Sequence, residues 1–152
     1  MPVSYTNIIK TKILEPIRLL IRNEFGASYN TYIGTKYENR GTQSIRLECI
    51  RQELSSQGSH GYENQYTVEI SLYLNMSNYE DKVKMDKLYN DVSRLEQILH
   101  NKRDPVSRSN DDAFYSGDTV SISFNEKDED EDDIDSLVCA KLEYLCYFTK
   151  MS

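Results

Sequence analysis

Few side chains in this sequence combine the type and spacing that chemistry requires. His60 lies in Gly58-Ser59-His60-Gly61 and His100 falls at the end of a predicted helix, and neither has an identifiable partner for proton transfer. The position of His100 suits a favourable interaction with the negative end of that helix. Cys49, Cys139 and Cys146 are odd in number and lack CxxC spacing, and two of them fall in an apolar strand pattern, so the expectation is buried, reduced thiols rather than a redox or zinc centre. The acidic run over 126–135 invites a calcium reading. A calcium loop of the EF-hand type beginning at Asp128 would need glycine at its sixth position and glutamate at its twelfth, where this chain has Asp133 and Cys139. The run reads instead as a solvated loop or an electrostatic contact surface. There is no P-loop, no GxSxG, no HExxH and no dinucleotide glycine pattern. The expectation is a protein that is not an enzyme and has no catalytic, cofactor-binding or metal-binding residues.

The elements that would carry these residues follow from periodicity. Over 6–25, Ile9, Ile13, Ile17, Leu20 and Ile21 share one helical face and Gly26 follows as a stop. Pro16 removes a backbone donor and should kink or divide this helix near Leu14 and Glu15. Ile8 and Leu19 project from the opposite face, either as scattered surface hydrophobes or as a contact surface for a neighbour. Residues 29–37 and 44–50 read as strands, 55–61 as a loop, and the alternation of Tyr66, Val68, Ile70, Leu72 and Leu74 with polar residues gives the clearest strand. Its second face is polar and rich in hydrogen-bonding groups.

Ser77-Asn78-Tyr79-Glu80 fits a capping box at the start of a second helix, whose Met85, Leu88, Val92, Leu95 and Leu99 form one apolar stripe. A polar loop over 101–116 follows, then a strand through Val120, Ile122 and Phe124. After the acidic run comes a long last strand through Val138, Ala140, Leu142, Tyr144, Cys146 and Phe148. The order αβββαββ predicts an α+β fold, an antiparallel sheet of four to five strands with two helices packed on one face, in a single domain over 1–152.

Composition limits function. A chain of 152 residues can bury roughly 68–70% of its unfolded surface, and 38% hydrophobic with 28% charged residues suits a folded domain. The N-terminal residues lack a basic region followed by an apolar run, and no stretch of about 18 apolar residues occurs, so neither a signal peptide nor a membrane span is expected. For that reason the sequon Asn75-Met76-Ser77 is uninformative. The net charge of −7 resides in 126–135, where eight acids face one lysine, which leaves the remaining 142 residues neutral. Before residue 60, Lys10, Lys12, Arg18, Arg22, Lys36, Arg40, Arg46 and Arg51 outnumber five acids. That excess is too small, and too far from any aromatic-lined basic groove or helix-turn-helix pattern, for sequence-specific nucleic-acid binding.

Several segments resemble the tail terminator or tail completion proteins of long-tailed bacteriophages. They are Asn7-Ile8-Ile9-Lys10-Thr11-Lys12-Ile13-Leu14-Glu15-Pro16-Ile17, Tyr37-Glu38-Asn39-Arg40-Gly41-Thr42-Gln43-Ser44-Ile45-Arg46-Leu47, Tyr66-Thr67-Val68-Glu69-Ile70 and the helix through Arg94-Leu95. The resemblance implies a structural virion subunit without enzymatic activity or cofactor, assembled in the host cytoplasm as a homo-oligomeric ring of six. The ring would cap the head-proximal end of the tail tube at the tail/neck junction. Its implied partners are copies of itself, the tail tube protein and head–tail connector or neck proteins, with no membrane and with DNA only as passing cargo. A head-closure or neck adaptor is the alternative in the same class, and an acidic cytosolic protein-binding module the alternative outside it. Candidate interface residues are Ile8, Lys12, Leu19, Arg22, Arg40 and Arg46 on the basic side and Asp128, Asp130, Asp132 and Asp133 on the acidic side.

Overall fold

In the computed structural model, which describes residues 2, 5–128, 131, 134 and 136–151, the chain starts with a π-helical turn, Ile9–Leu14, that runs directly into helix α1, Glu15–Phe25. Pro16 explains the junction. With no N–H it cannot claim the Lys12 carbonyl four residues back, and that carbonyl instead accepts a hydrogen bond from the Phe114 amide at 3.1 Å. The break expected near Leu14 and Glu15 therefore takes the form of a change in helix type, in which the Glu15 amide reaches back to Lys10. Ile13, Ile17, Ile21 and Phe25 are buried along one face, and Gly26 ends the helix with a positive φ of 60° that favours glycine.

Five strands follow in the sheet order β1-β2-β3-β5-β4, with β1 at Asn30–Ile33, β2 at Gln43–Gly58, β3 at Gly61–Asn75, β4 at Tyr115–Phe124 and β5 at Leu137–Met151. Helix α2, Asp81–Asn101, sits between β3 and β4 in sequence. The α+β class and the order αβββαββ are as expected. All neighbouring strands are antiparallel save one, because β1 runs parallel to β2 with Asn30 opposite Ser44 and Ile33 opposite Leu47. A parallel pair needs a return crossover, and β1 is short enough for residues 34–42 to supply it without a helix. That return is also why the strand expected over 29–37 ends at Ile33.

Two other local expectations change. The stretch 55–61 is not a loop, since β2 and β3 continue to a two-residue turn at Ser59 and His60, and β5 pairs with β3 out to Met151 opposite Gly61. Backbone bonding on both sides of β3 holds this polar sequence in strand form, so 50–60 are all exposed without leaving the sheet. The capping box does not form. The Tyr79 amide donates to the Met76 carbonyl at 3.3 Å in a turn, Glu80 becomes the N-cap, and no side chain caps the helix.

Both helices cover one face of the sheet. Ile13, Ile17, Ile21, Leu88, Leu95 and Leu99 pack on Ile45, Leu47, Val68, Ile70, Ala140, Leu142 and Tyr144 in a continuous core. Gly117 in β4 passes directly over Tyr144, whose hydroxyl would lie 1.7 Å from any Cβ there, so only glycine fits. The opposite face is polar, as expected, but carries a small core of its own formed by Tyr73, Leu137 and Cys139 with Tyr37 and Ile134 against it. Cys146 is buried in the main core, Cys139 in this second one, and Cys49 is half-buried, all three unpaired. Burial pushes the Cys139 thiol up to about 11, beyond reach of thiolate chemistry at neutral pH.

Leu95→Ala and Leu142→Ala should each cost about 2–5 kcal/mol, since both side chains are fully buried. Lys87, a surface position by its sequence pattern, is not a neutral control for them: its Nζ lies 3.0 Å from the buried carboxylate of Asp91, which also accepts the Tyr29 hydroxyl at 2.5 Å. Exposed Gln97→Ala is the control, with an expected change within about 0.5 kcal/mol. Equal urea midpoints for Leu95→Ala and Gln97→Ala would show that α2 does not bury this face.

Candidate functional site

The second face of the sheet gathers the chain's strongest electrostatics, and they start from one residue. Arg46, 1% exposed, projects from β2 onto this face. Its five N–H donors find five acceptors: Tyr73 Oη at 3.1 Å, Gly34 O at 3.2 Å, Glu48 Oε1 at 3.0 Å, Glu69 Oε1 at 2.5 Å and Ser71 Oγ at 3.0 Å. Strand register makes this arrangement necessary. Glu48 and Glu69 stand directly opposite one another on β2 and β3, a like-charge pair that destabilises a sheet unless a cation bridges it. Burial penalises the guanidinium charge, but Tyr73 and Glu69 outweigh the penalty and hold its pKa above the usual value.

The network continues into the acidic run. Tyr73 Oη lies 3.4 Å from Glu131 Oε2, and Lys141 Nζ lies 3.2 Å from both Glu131 Oε1 and Asp128 Oδ2. Burial works against the Lys141 charge, yet its bonds to Asp128 and Glu131 prevail and raise its pKa. The run was expected to face water or a basic partner throughout. Glu131 is instead 1% exposed, and its basic partner is a lysine of the same chain.

Of the interface residues inferred from sequence, Arg46 is the clear correction: with every donor occupied inside the fold, it offers nothing to a partner. Ile8 is half-buried against the main core, while Leu19 is 59% exposed. Lys12 pairs with Asp112 at 3.1 Å, and Arg22 is exposed one turn beyond Arg18. Arg40 is exposed, paired with Glu38 at 2.6 Å and stacked over the Tyr32 ring at 4.5 Å. Asp128 is exposed beside Lys141, and Asp130, Asp132 and Asp133 lie outside the described residues.

The structure brings these positions to different margins of the sheet. At the β1 edge, a groove of about 760 Å³ runs between α1 and β1, lined by Lys10, Arg18, Tyr32, Ile33 and Arg40, with Glu15 as its one acid. Leu19 and Pro16 line a second groove, of about 530 Å³, between α1 and the loop that follows α2. At the β4 edge lies a surface the sequence reading missed: Tyr89 of α2 meets Phe124 of β4 edge-to-face at 5.1 Å, with both rings, Val83 and Val120 exposed. Its signal was present in Tyr89, an aromatic outside the apolar stripe of α2. A third exposed region is the far end of the β2–β3 hairpin, where Leu54 and Met151 are 60% and 65% exposed.

Among the described residues no three His, Cys, Asp or Glu side chains are grouped to hold a metal ion, and no helix is long and apolar enough to cross a membrane. His60 occupies the hairpin turn, and His100 lies exposed in the last turn of α2 beside Arg103.

Two helices over one face of a five-stranded mixed sheet define an α+β protein whose exposed features are edges and grooves. No protein-family model matches the sequence, and no curated protein matches it. Among solved structures, the chain is similar to the sheath/tube terminator, in its extended state, of the extracellular contractile injection system PVC, with 9% identity and a TM-score of 0.59. That likeness is one of fold, and it covers 99% of this chain but only 58% of the terminator chain. A chain from the virion of a native gene transfer agent particle also aligns, at 4% identity over 94% of this chain and 90% of that one, with a TM-score of 0.42.

Arg46→Ala should cost about 3–5 kcal/mol, because it leaves Glu48 and Glu69 opposed and partly buried without a cation. Adding Glu48→Gln and Glu69→Gln should recover part of the loss. A denaturation measurement in which Arg46→Ala loses under about 1 kcal/mol would show that the network does not hold this face.

Proposed function

We infer that this chain is a structural subunit of a phage-like tail, a terminator that assembles as a ring of six at the head-proximal end of the tail tube and joins it to the neck. The observation that carries the reading is the fold shared with the PVC sheath/tube terminator along nearly the whole of this chain. The sequence segments that resemble tail terminator proteins support it independently, as do the exposed apolar side chains at both sheet margins and in the Leu19 groove, which suit a subunit covered by neighbours. On this reading the protein is a virion component assembled in the host cytoplasm, its partners are copies of itself, the tube protein and connector or neck proteins, and it performs no catalysis.

The acidic run favours a second reading, an acidic binding module that occupies a basic site on another protein. Solution mass together with negative-stain images separates the two. Rings are expected for the terminator, and a monomer that stays single at high concentration would replace that reading with the module. Whether rings bind the open end of an isolated tail tube then distinguishes a terminator from a head-closure or neck adaptor.

Leu19 also gives a direct test of α1. Ile8 is unsuitable for it, because its contact with the core would confound folding with assembly. Leu19→Asp should leave the melting temperature unchanged and weaken binding to copies or to the tube, and unchanged binding on both counts would remove Leu19 from the interfaces.

A further inference from the structure

The two margins of the sheet carry opposite chemistry. At the β1 edge, Lys10, Arg18 and Arg40 line the groove beside exposed Ile33; Arg18 pairs with Glu15 at 3.4 Å and Arg40 with Glu38 at 2.6 Å, while Lys10 has no ion-pair partner among the described residues and leaves the margin net basic. At the β4 edge, exposed Asp86 and Glu126 flank the Tyr89–Phe124 pair: Asp86 lies one turn before Tyr89 on α2, and Glu126 lies two residues beyond Phe124. The β4 edge also leads into the segment that holds the chain's entire net negative charge. Each margin offers an outer strand bonded on one side only.

We propose that the β4 edge of one copy, Asp86 and Glu126 around Tyr89 and Phe124, docks against the β1 edge of the next copy at Lys10, Arg18, Arg40 and Ile33. This names the lateral contact of the ring and rests on the proposed terminator reading. Charge complementarity selects the occupant. A second copy supplies the matching acidic, aromatic surface for the basic groove, and the two surfaces sit at opposite ends of one sheet, so neither can satisfy the other within a chain. The same polarity acts against a two-fold dimer, which would set basic edge on basic edge or acidic on acidic. Only a head-to-tail contact matches the charges, and such contacts close into rings when their rotation allows.

The test uses charge reversal on the full chain. Lys10→Glu with Arg40→Glu makes both edges acidic, and Asp86→Lys with Glu126→Lys makes both edges basic. Each pair alone should weaken self-association about a hundredfold in sedimentation while leaving the melting temperature in place. An equimolar mixture of the two variants should restore assembly, with the variants alternating around the ring. Wild-type assembly should also weaken steeply between low and high salt. If reversal unfolds either variant, Lys10→Gln with Arg40→Gln and Asp86→Asn with Glu126→Gln replace them, each expected to weaken association about tenfold. Rings that form in the variants as in wild type would overturn this contact and leave the terminator reading standing, and so would a mixture that stays dissociated. A wild-type protein that never self-associates would overturn both.

Discussion

The second face of the sheet depends on the guanidinium of Arg46. Register alone places Glu48 opposite Glu69, two carboxylates projecting from paired positions on one face. Arg46 answers this from within the same sheet, bridging both acids and reaching Tyr73, which in turn contacts Glu131. One residue of β2 thereby connects the β2–β3 ladder to the segment joining β4 and β5. An ion network of this depth gains little over an apolar core in net stability. Its effect falls on register: a slip of one residue between β2 and β3 would move Arg46 to the helix side, away from Glu69 and Tyr73, and carry Ile45 and Leu47 out of the core.

A second coupling works through the backbone. Pro16 frees the Lys12 carbonyl, and the Phe114 amide takes it, so the π-helical turn before α1 is bonded to the end of the loop that follows α2. Phe114 is itself fully buried and packs edge-to-face on Tyr144, and Arg108 stacks on its ring at 4.0 Å. Residues 101–116 read from sequence as a polar loop. In the fold that connection is fixed at both ends and at its middle, with Arg108 also donating to the Lys102 carbonyl at 2.8 Å. A proline that looks like a defect in an amphipathic helix thus supplies the acceptor that anchors a distant loop.

Much of the architecture was legible because it rests on periodicity. The stripes Ile13, Ile17, Ile21 and Leu88, Val92, Leu95, Leu99, and the alternation in β3 and β5, each follow from burying one face, and those positions are buried. What the sequence did not show depended on partners distant in the chain. The far end of the β2–β3 hairpin is polar on both faces, and its strand form comes from backbone bonds to β5, which leave no pattern in the side chains. The parallel pairing of β1 is a matter of where a nine-residue return lands. Arg46 reads as a surface cation by type and alternation, and only the closure of the second face over it, by residues from three strands and the acidic run, makes it an interior one. Among the candidate interface residues, Leu19 and Arg40 were readable as exposed, whereas Tyr89 with Phe124 required the packing of α2 against β4 to become a surface at all.

These closures determine where partners can bind. One face of the sheet is consumed by α1 and α2, so it has nothing left to offer. On the other, Arg46, Tyr73 and Glu131 are bonded in one network beside the small core of Tyr73, Leu137 and Cys139, which closes the end of the face nearest β1 and the acidic run. What remains is the perimeter: the two edge strands, the Leu19 groove beside α1 and the projecting hairpin with Leu54 and Met151. Exposed apolar side chains along the two edges, Ile33 on one and Phe124 with Tyr89 on the other, suit contacts made side by side. In the proposed ring, the opposite charges of the two edges would give the lateral contact a direction, as a heterologous contact between copies of one subunit requires.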